Sequence, residues 1–186
     1  KNLLGTFTPP REIHIATQFL NSLSIDELRS GVGEMLKVHA IAGEAAWRAI
    51  AADYDKIFAD RQTMEVYIKK SLLIKKGFIE ADEFDRGIRN VLNYGHSYGH
   101  AIEAATHFGV PHGIAVAMGM DMANFQSMRT GRISADRFRL LHGTLWRNYA
   151  DFAMVPVPLE PFLAAITKDK KNVGQQIALI LTNADW

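Results

Sequence analysis

The 186-residue chain reads as a mainly α-helical domain with a few short peripheral strands. Three observations predict this. Ser24-Ile-Asp-Glu27 has the form of a capping box and stands ahead of an apolar run at helical spacing. Amphipathic stretches then follow one another, separated by short breaks marked by Gly, Pro or Asp. Stretches with strand character are confined to two short segments, one near each end.

The elements follow in order. The first ten residues read as an extended loop ending in Pro9-Pro10, and residues 12–16 alternate enough for a short strand. After the capping box, Leu28, Met35, Leu36 and Ile41 keep helical spacing, and residues 44–52 form a second helix. A long amphipathic helix is expected from residue 63 to about 84, with Met64, Val66, Ile68, Leu72, Leu73 and Phe78 on its buried side. A His-bearing helix is expected from 87 to about 106 and another from 113 to about 128. Ser134-Ala-Asp-Arg137 opens one more helix, and residues 176–182 are a β-branched, apolar strand segment. No internal repeat and no linker interrupts this order, so residues 1–186 are expected to form a single helical domain.

Composition narrows the function classes. Twenty-one basic and twenty acidic residues leave a formal charge of +1, so no global field recruits nucleic acid or an anionic membrane. No cysteine is present, which excludes a disulfide framework and thiolate zinc sites and leaves His and carboxylates as the strong metal ligands. No apolar run is long enough to cross a membrane, and the opening residues lack the apolar region of a signal peptide. A reducing, cytoplasmic setting is the expectation. The absence of an initiator Met suggests a piece of a longer protein.

The chemistry concentrates in Arg89-Asn-Val-Leu-Asn-Tyr-Gly-His-Ser-Tyr-Gly-His100 and in Pro111-His112-Gly113. On one continuous helix, Arg89, Asn93, His96 and His100 would share a sector about 60° wide. Such a face suits neither solvent nor core, and its guanidinium, amide and imidazoles fit a metal ion or an anionic substrate. His96, His112 and a carboxylate would form a three-ligand zinc site with one position open. Glu34, set in the apolar stretch Gly31-Val-Gly-Glu-Met-Leu-Lys37, is the best carboxylate. It reads equally well as an ordinary i,i+3 ion pair with Lys37, and spacing alone does not separate the two. His96 and His100 lack the Glu that would sit between two zinc-protease histidines, so His100 suits proton transfer instead. His14, His39, His107 and His142 read as structural.

Three smaller features complete this reading. Gly95 and Gly99 within a helix imply close approach of another backbone or a ligand. Gly31-Val-Gly33 is not a dinucleotide fingerprint, because Leu36 occupies the third glycine position and no strand precedes it. The basic run Lys168-Asp-Lys-Lys171 reads either as a solvated loop or as a phosphate-binding element.

Taken together, Gly31-Val-Gly-Glu-Met-Leu-Lys37, the segment from Arg89 through Ala101-Ile-Glu103, His112-Gly-Ile-Ala-Val-Ala-Met-Gly-Met120 and Asp169-Lys-Lys171 resemble the C-terminal half of the 3-dehydroquinate synthase family. The match in order and spacing spans nearly the whole chain, and even Lys1-Asn-Leu-Leu-Gly-Thr-Phe7 resembles the segment that leaves the family's nucleotide domain. The resemblance implies a helical domain of a two-domain lyase whose N-terminal, NAD-binding half is absent from this chain. It implies zinc, or another divalent metal such as cobalt, on Glu34, His96 and His112. By the same resemblance Lys37, Asn93 and His100 act in catalysis, while Lys1, Asn2, Lys75, Arg89, Lys170 and Lys171 bind substrate. The implied reaction converts 3-deoxy-D-arabino-heptulosonate 7-phosphate to 3-dehydroquinate and phosphate in the shikimate pathway, on the way to aromatic amino acids. A homodimer is also implied.

Together Lys75 and Arg89 favour a carboxylate-bearing substrate over those of related sugar-phosphate cyclases. A metal-dependent polyol dehydrogenase and a non-catalytic helical binding module are the competing readings. The chain departs from the family pattern at Pro9, Ala16, Asp26, Asp85 and Ile114.

Overall fold

The computed structural model describes residues 11–84, 87–168 and 178–184. Among them lie eight α-helices: α1 (Ile25–Ile41), α2 (Glu44–Ala52), α3 (Tyr54–Ala59), α4 (Arg61–Ala81), α5 (His96–Ala105), α6 (His112–Arg129), α7 (Ala135–Tyr149) and α8 (Leu159–Thr167). Short 3-10 segments cover Thr17–Ser22, Ile88–Asn93 and Ala150–Phe152. The mainly helical reading holds, with α3 and α8 as additions to it.

Local chemistry sets the helix starts. The Ser24 hydroxyl accepts from the Glu27 amide at 3.3 Å while the Glu27 carboxylate accepts from the Ser24 amide at 2.7 Å, so the capping box is complete. Asp60 accepts from the amides of Gln62 and Thr63 to start α4, and Ser134 caps α7 through the Arg137 amide.

Helix α6 is the centre of the packing. It contacts α5 on one side and α1 and α7 on others. Ile114, Ala115, Val116, Ala117 and Met120 on it are fully enclosed, as expected of a helix that is apolar nearly all round. Trp47 and Ile50 of α2, Leu36 of α1, Ile102 of α5, and Leu141 and Leu145 of α7 complete the core around it.

Two glycines govern how close α1 comes to α6. A Cβ on Gly33 would collide with the backbone of Gly113, and one on Gly113 would collide with the backbone of Ser30. The helices therefore touch backbone to backbone.

Three expectations require correction. The segment 87–106 is not one helix. It is a 3-10 turn over Ile88–Asn93, an extended Tyr94, Gly95 in the left-handed region at φ +76°, and then α5. Gly95 reverses the chain where a side chain would strike Val116 and Met120 of α6, and Gly99 packs on Val116, so the expected close approach is real. The buried side of α4 is Thr63, Met64, Tyr67 and Ser71, whereas Val66, Leu72 and Leu73 are exposed. Tyr67 takes the inner position because its hydroxyl reaches the Ala49 carbonyl and the Asp53 carboxylate, at 2.9 and 2.8 Å. No strand forms among the described residues. Residues 12–16 and 178–182 have no ladder partner, and residues 176 and 177 lie outside the described set.

Opposite outcomes are expected at two glycines. Gly33→Ala forces α1 off α6 and is expected to destabilise the protein by at least about 1–3 kcal/mol. Gly77→Ala, on the open side of α4 with nothing within 4 Å, is expected to stabilise it by about 0.4–1 kcal/mol. Urea denaturation of both variants checks the pair of signs.

Candidate metal centre and its surroundings

Three helices deliver the site. Glu34 sits midway along α1, His96 is the first residue of α5 and His112 the first of α6. The backbone contact of Gly33 with Gly113 sets Glu34 beside His112, and the Ser30 hydroxyl fixes the turn by accepting from the Gly113 amide at 2.8 Å. The left-handed Gly95 turns α5 so that His96 arrives from the third side.

The three side chains converge on one oxygen. Glu34 Oε1 lies 3.6 Å from His96 Nε2 and 3.4 Å from His112 Nε2. It is buried and makes no hydrogen bond among the described residues, while the other carboxylate oxygen accepts from Lys37 Nζ at 2.9 Å. Behind each imidazole stands an acceptor: the Tyr94 carbonyl is 3.2 Å from His96 Nδ1, and the Glu103 carboxylate is 3.0 Å from His112 Nδ1. Protons on both Nδ1 atoms satisfy those acceptors and leave both Nε2 lone pairs facing Glu34 Oε1. Two lone pairs and an anionic oxygen repel one another unless a cation lies among them. The donor set of two imidazole nitrogens and one carboxylate oxygen fits a divalent ion such as zinc, with room for a fourth ligand.

Protonation states agree with that reading. Burial pushes the Glu34 carboxyl up, but the His112 imidazole beside it and the Lys37 and His96 charges outweigh burial and hold the group well below the usual carboxylate range. Burial, reinforced by the Lys37 ammonium, lowers His96 to about 4, so it is neutral at neutral pH. The Glu34 carboxylate beside it raises His112, helped by Glu103 against the cost of burial. An ionised carboxylate and a neutral imidazole are the forms in which a metal is bound, and at His112 the metal and the proton compete for the same lone pair.

His100 stands one turn beyond His96, exposed, with its ring 5.2 Å from that of His96 and 5.7 Å from that of His112. The ligand nitrogens of all three histidines lie within 4.8 Å of one another. Lys37, only 3% exposed, is a buried ion-pair partner of Glu34 rather than half of a surface pair.

The remaining expected residues divide into two groups. Arg89 and Asn93 lie in the 3-10 turn, against which α4 packs; Lys75 is exposed on α4. Since the turn is not part of α5, Arg89 and Asn93 do not share one helix face with His96 and His100. The Arg89 guanidinium donates to the Glu83 carbonyl at 2.7 Å, and its amide to the Asp82 carboxylate at 3.1 Å. Lys1, Asn2, Lys170 and Lys171 lie outside the described residues. Ile114, one of the positions at which the chain was expected to depart from the family pattern, is wholly enclosed in the core.

Glu103 is the residue that the sequence reading missed. It is 3% exposed inside the apolar run Ala101-Ile-Glu-Ala-Ala105, and a lone carboxylate in such a run was the same signal that singled out Glu34.

Comparison with known proteins bears on the identity of this arrangement. Residues 31–172, which include Glu34, His96 and His112, match the family model described as 3-dehydroquinate synthase C-terminal. A 3-dehydroquinate synthase of Campylobacter fetus subsp. fetus is 34% identical over 184 residues, covering 98% of this chain and 52% of that protein. Corresponding proteins of Sulfurisphaera tokodaii and Saccharolobus solfataricus are 35% and 36% identical, covering 100% and 92% of this chain and 55% and 50% of theirs. The chain spans about half the length of the curated relatives it matches. With the expected motifs, the helical fold and the match over residues 31–172 in agreement, the chain belongs to the 3-dehydroquinate synthase C-terminal family.

Proposed function

We propose that this chain is the metal- and substrate-binding half of a 3-dehydroquinate synthase. In this reading it converts the phosphorylated sugar acid 3-deoxy-D-arabino-heptulosonate 7-phosphate to 3-dehydroquinate and phosphate, as part of a cytoplasmic homodimer. The observation that carries the reading is the convergence of His96 Nε2 and His112 Nε2 on the unbonded Glu34 Oε1. Bound by these three groups, zinc or cobalt supplies Lewis-acid polarisation of the substrate hydroxyl to be oxidised. NAD, held mainly by the N-terminal half, supplies the reversible hydride exchange that makes the neighbouring proton acidic enough for phosphate to leave.

The side chains of this chain then have distinct tasks. Glu103 and the Tyr94 carbonyl hold the two imidazoles in one tautomer and one orientation. Lys37 holds the Glu34 carboxylate and places its positive charge beside the site. His100, exposed beside the pair, moves the proton that accompanies phosphate departure, and Asn93 positions the phosphate side. Lys75 and Arg89 bind the substrate carboxylate, and Lys1, Asn2, Lys170 and Lys171 complete the anion contacts.

The intact protein, supplied with zinc, NAD and the phosphorylated acid, is expected to release phosphate and form the carbocycle. Net reduction of NAD by a polyol without phosphate release would sink the proposal in favour of a dehydrogenase, and absence of bound zinc would favour a non-catalytic module.

Variants separate the roles further. Glu34→Ala and His112→Ala are expected to lose the metal, as measured by elemental analysis after dialysis. Glu103→Gln is expected to keep it with affinity about 10–100-fold lower in a chelator competition. His100→Ala is expected to retain full metal content while turnover falls by about 10²–10⁴. Loss of the metal from that variant would instead make His100 a ligand.

A further inference from the structure

A second cluster of chemically active side chains lies between α6 and α7. Along α6, Met118, Asp121, Met122 and Phe125 fall at i, i+3, i+4 and i+7 and so form one stripe. Along α7, Phe138, His142 and Tyr149 face it. Between the two stripes, with Tyr98 of α5 at one end, is a cavity of about 350 Å³.

Its walls are aromatic and its charge is single. Tyr98, Phe125, Phe138 and Tyr149 line it together with two methionines and Gln126. Phe125 and Phe138 meet edge to face with centroids 5.9 Å apart, and Phe138 stacks on His142 at 5.3 Å. Among the described residues, Asp121 is the one formally charged side chain in the lining, which holds no lysine or arginine. That residue is 8% exposed. One of its oxygens accepts from both the Tyr149 hydroxyl and, at 2.7 Å, His142 Nδ1. The other, Oδ1, is buried and has no hydrogen-bond partner.

This combination selects a ligand chemistry. A carboxylate whose side chain is 10% exposed and which leaves one oxygen unmatched is costly, and its field extends into the adjoining cavity with little screening. An anion there would meet Asp121 with the same sign, and a neutral apolar molecule would leave the charge uncompensated. A small, hard metal ion would find one carboxylate and otherwise aromatic faces, which are poor ligands for it. A compact organic cation gains from the rings through their quadrupoles and from Asp121 through its charge, and it need not touch Oδ1 to do so. The cavity volume lies at the lower end of small-molecule sites, which limits the ligand to a small ammonium compound.

We propose that the α6–α7 groove binds a compact organic ammonium cation, with Asp121 as its counter-ion and Tyr98, Phe125, Phe138 and Tyr149 as its aromatic walls. The site is separate from the metal centre, and the proposal does not depend on the function assigned to that centre.

The test titrates the intact protein with tetramethylammonium chloride at constant ionic strength. Saturation-transfer NMR follows the methyl protons of the probe, and calorimetry gives its affinity. Saturable binding is expected, weakened about tenfold by Asp121→Asn and by Phe125→Leu in proteins that melt within a few degrees of the parent. Metal content stays unchanged in both variants.

The proposal is overturned if no saturable binding occurs up to high millimolar concentration, or if both variants bind like the parent. It is also overturned if neopentyl alcohol, a neutral molecule of similar shape, binds as tightly as the ammonium. Should Asp121→Asn fail to fold, Phe125→Leu and the neutral molecule decide the matter. A dimer that Phe125→Glu dissociates, in a protein that binds no ammonium, would assign this face to a second copy and reject the cation site.

Discussion

The contact between α1 and the start of α6 is the constraint on which the rest depends. At Gly33 and Gly113 no side chain separates the two backbones, and Ser30 adds a hydrogen bond across the same point. Helix axes are ordinarily held 8–10 Å apart by side chains at the contact. Removing them at this crossing brings a mid-helix carboxylate within 3.4 Å of an imidazole on the first residue of another helix. The core then fixes that arrangement, because Ile114, Ala115 and Val116 follow directly on α6 and are wholly buried. A shift of α6 that eased the crowding at the site would open the core behind it.

Gly95 supplies the second half of the geometry. In the left-handed conformation it ends the 3-10 turn and starts α5 at His96, so the ring emerges at a helix start rather than from a helix face. The carbonyl of Tyr94, left free by the same turn, becomes the acceptor for His96 Nδ1. One backbone reversal thus orients the ligand and sets its tautomer. The Tyr94 side chain anchors the reversal, because its hydroxyl donates to Asn124 of α6 inside the core.

These three glycines also show what was legible in the sequence. Glu34, His96 and His112 could be nominated because each placed a ligand-bearing group where solvent and core chemistry would favour another residue, and the structure brings all three together. The manner of their meeting was not legible. The periodicity of Arg89, Asn93, His96 and His100 fits one helix face, yet Gly95 breaks that face, and a single glycine carries no sign of its own φ. The buried side of α4 was misjudged for a related reason: ranking by hydrophobicity preferred Val66 and Leu73 to Tyr67, whose hydroxyl has two acceptors waiting in neighbouring elements. Glu103 escaped because its partner, His112, is contributed by the next helix, and sequence spacing does not reveal that pairing.

Helix α6 ties the metal centre to the second cavity while keeping them apart. Asp121 lies nine residues after His112, about 14 Å along the axis and half a turn around it. His112 and Asp121 therefore face opposite sides of the same buried rod, and a substitution that enlarges one site need not move the other. Their surroundings differ in kind. At the candidate metal centre the unmatched carboxylate oxygen is met by nitrogen lone pairs at 3.4 and 3.6 Å, a mixed nitrogen and oxygen donor set that suits a small divalent ion. At Asp121 the unmatched oxygen adjoins aromatic walls, whose diffuse negative faces suit a large, weakly hydrated cation. The same electrostatic deficit, a buried carboxylate with an unmatched oxygen, thus specifies two different ligands, and the neighbouring side chains decide which.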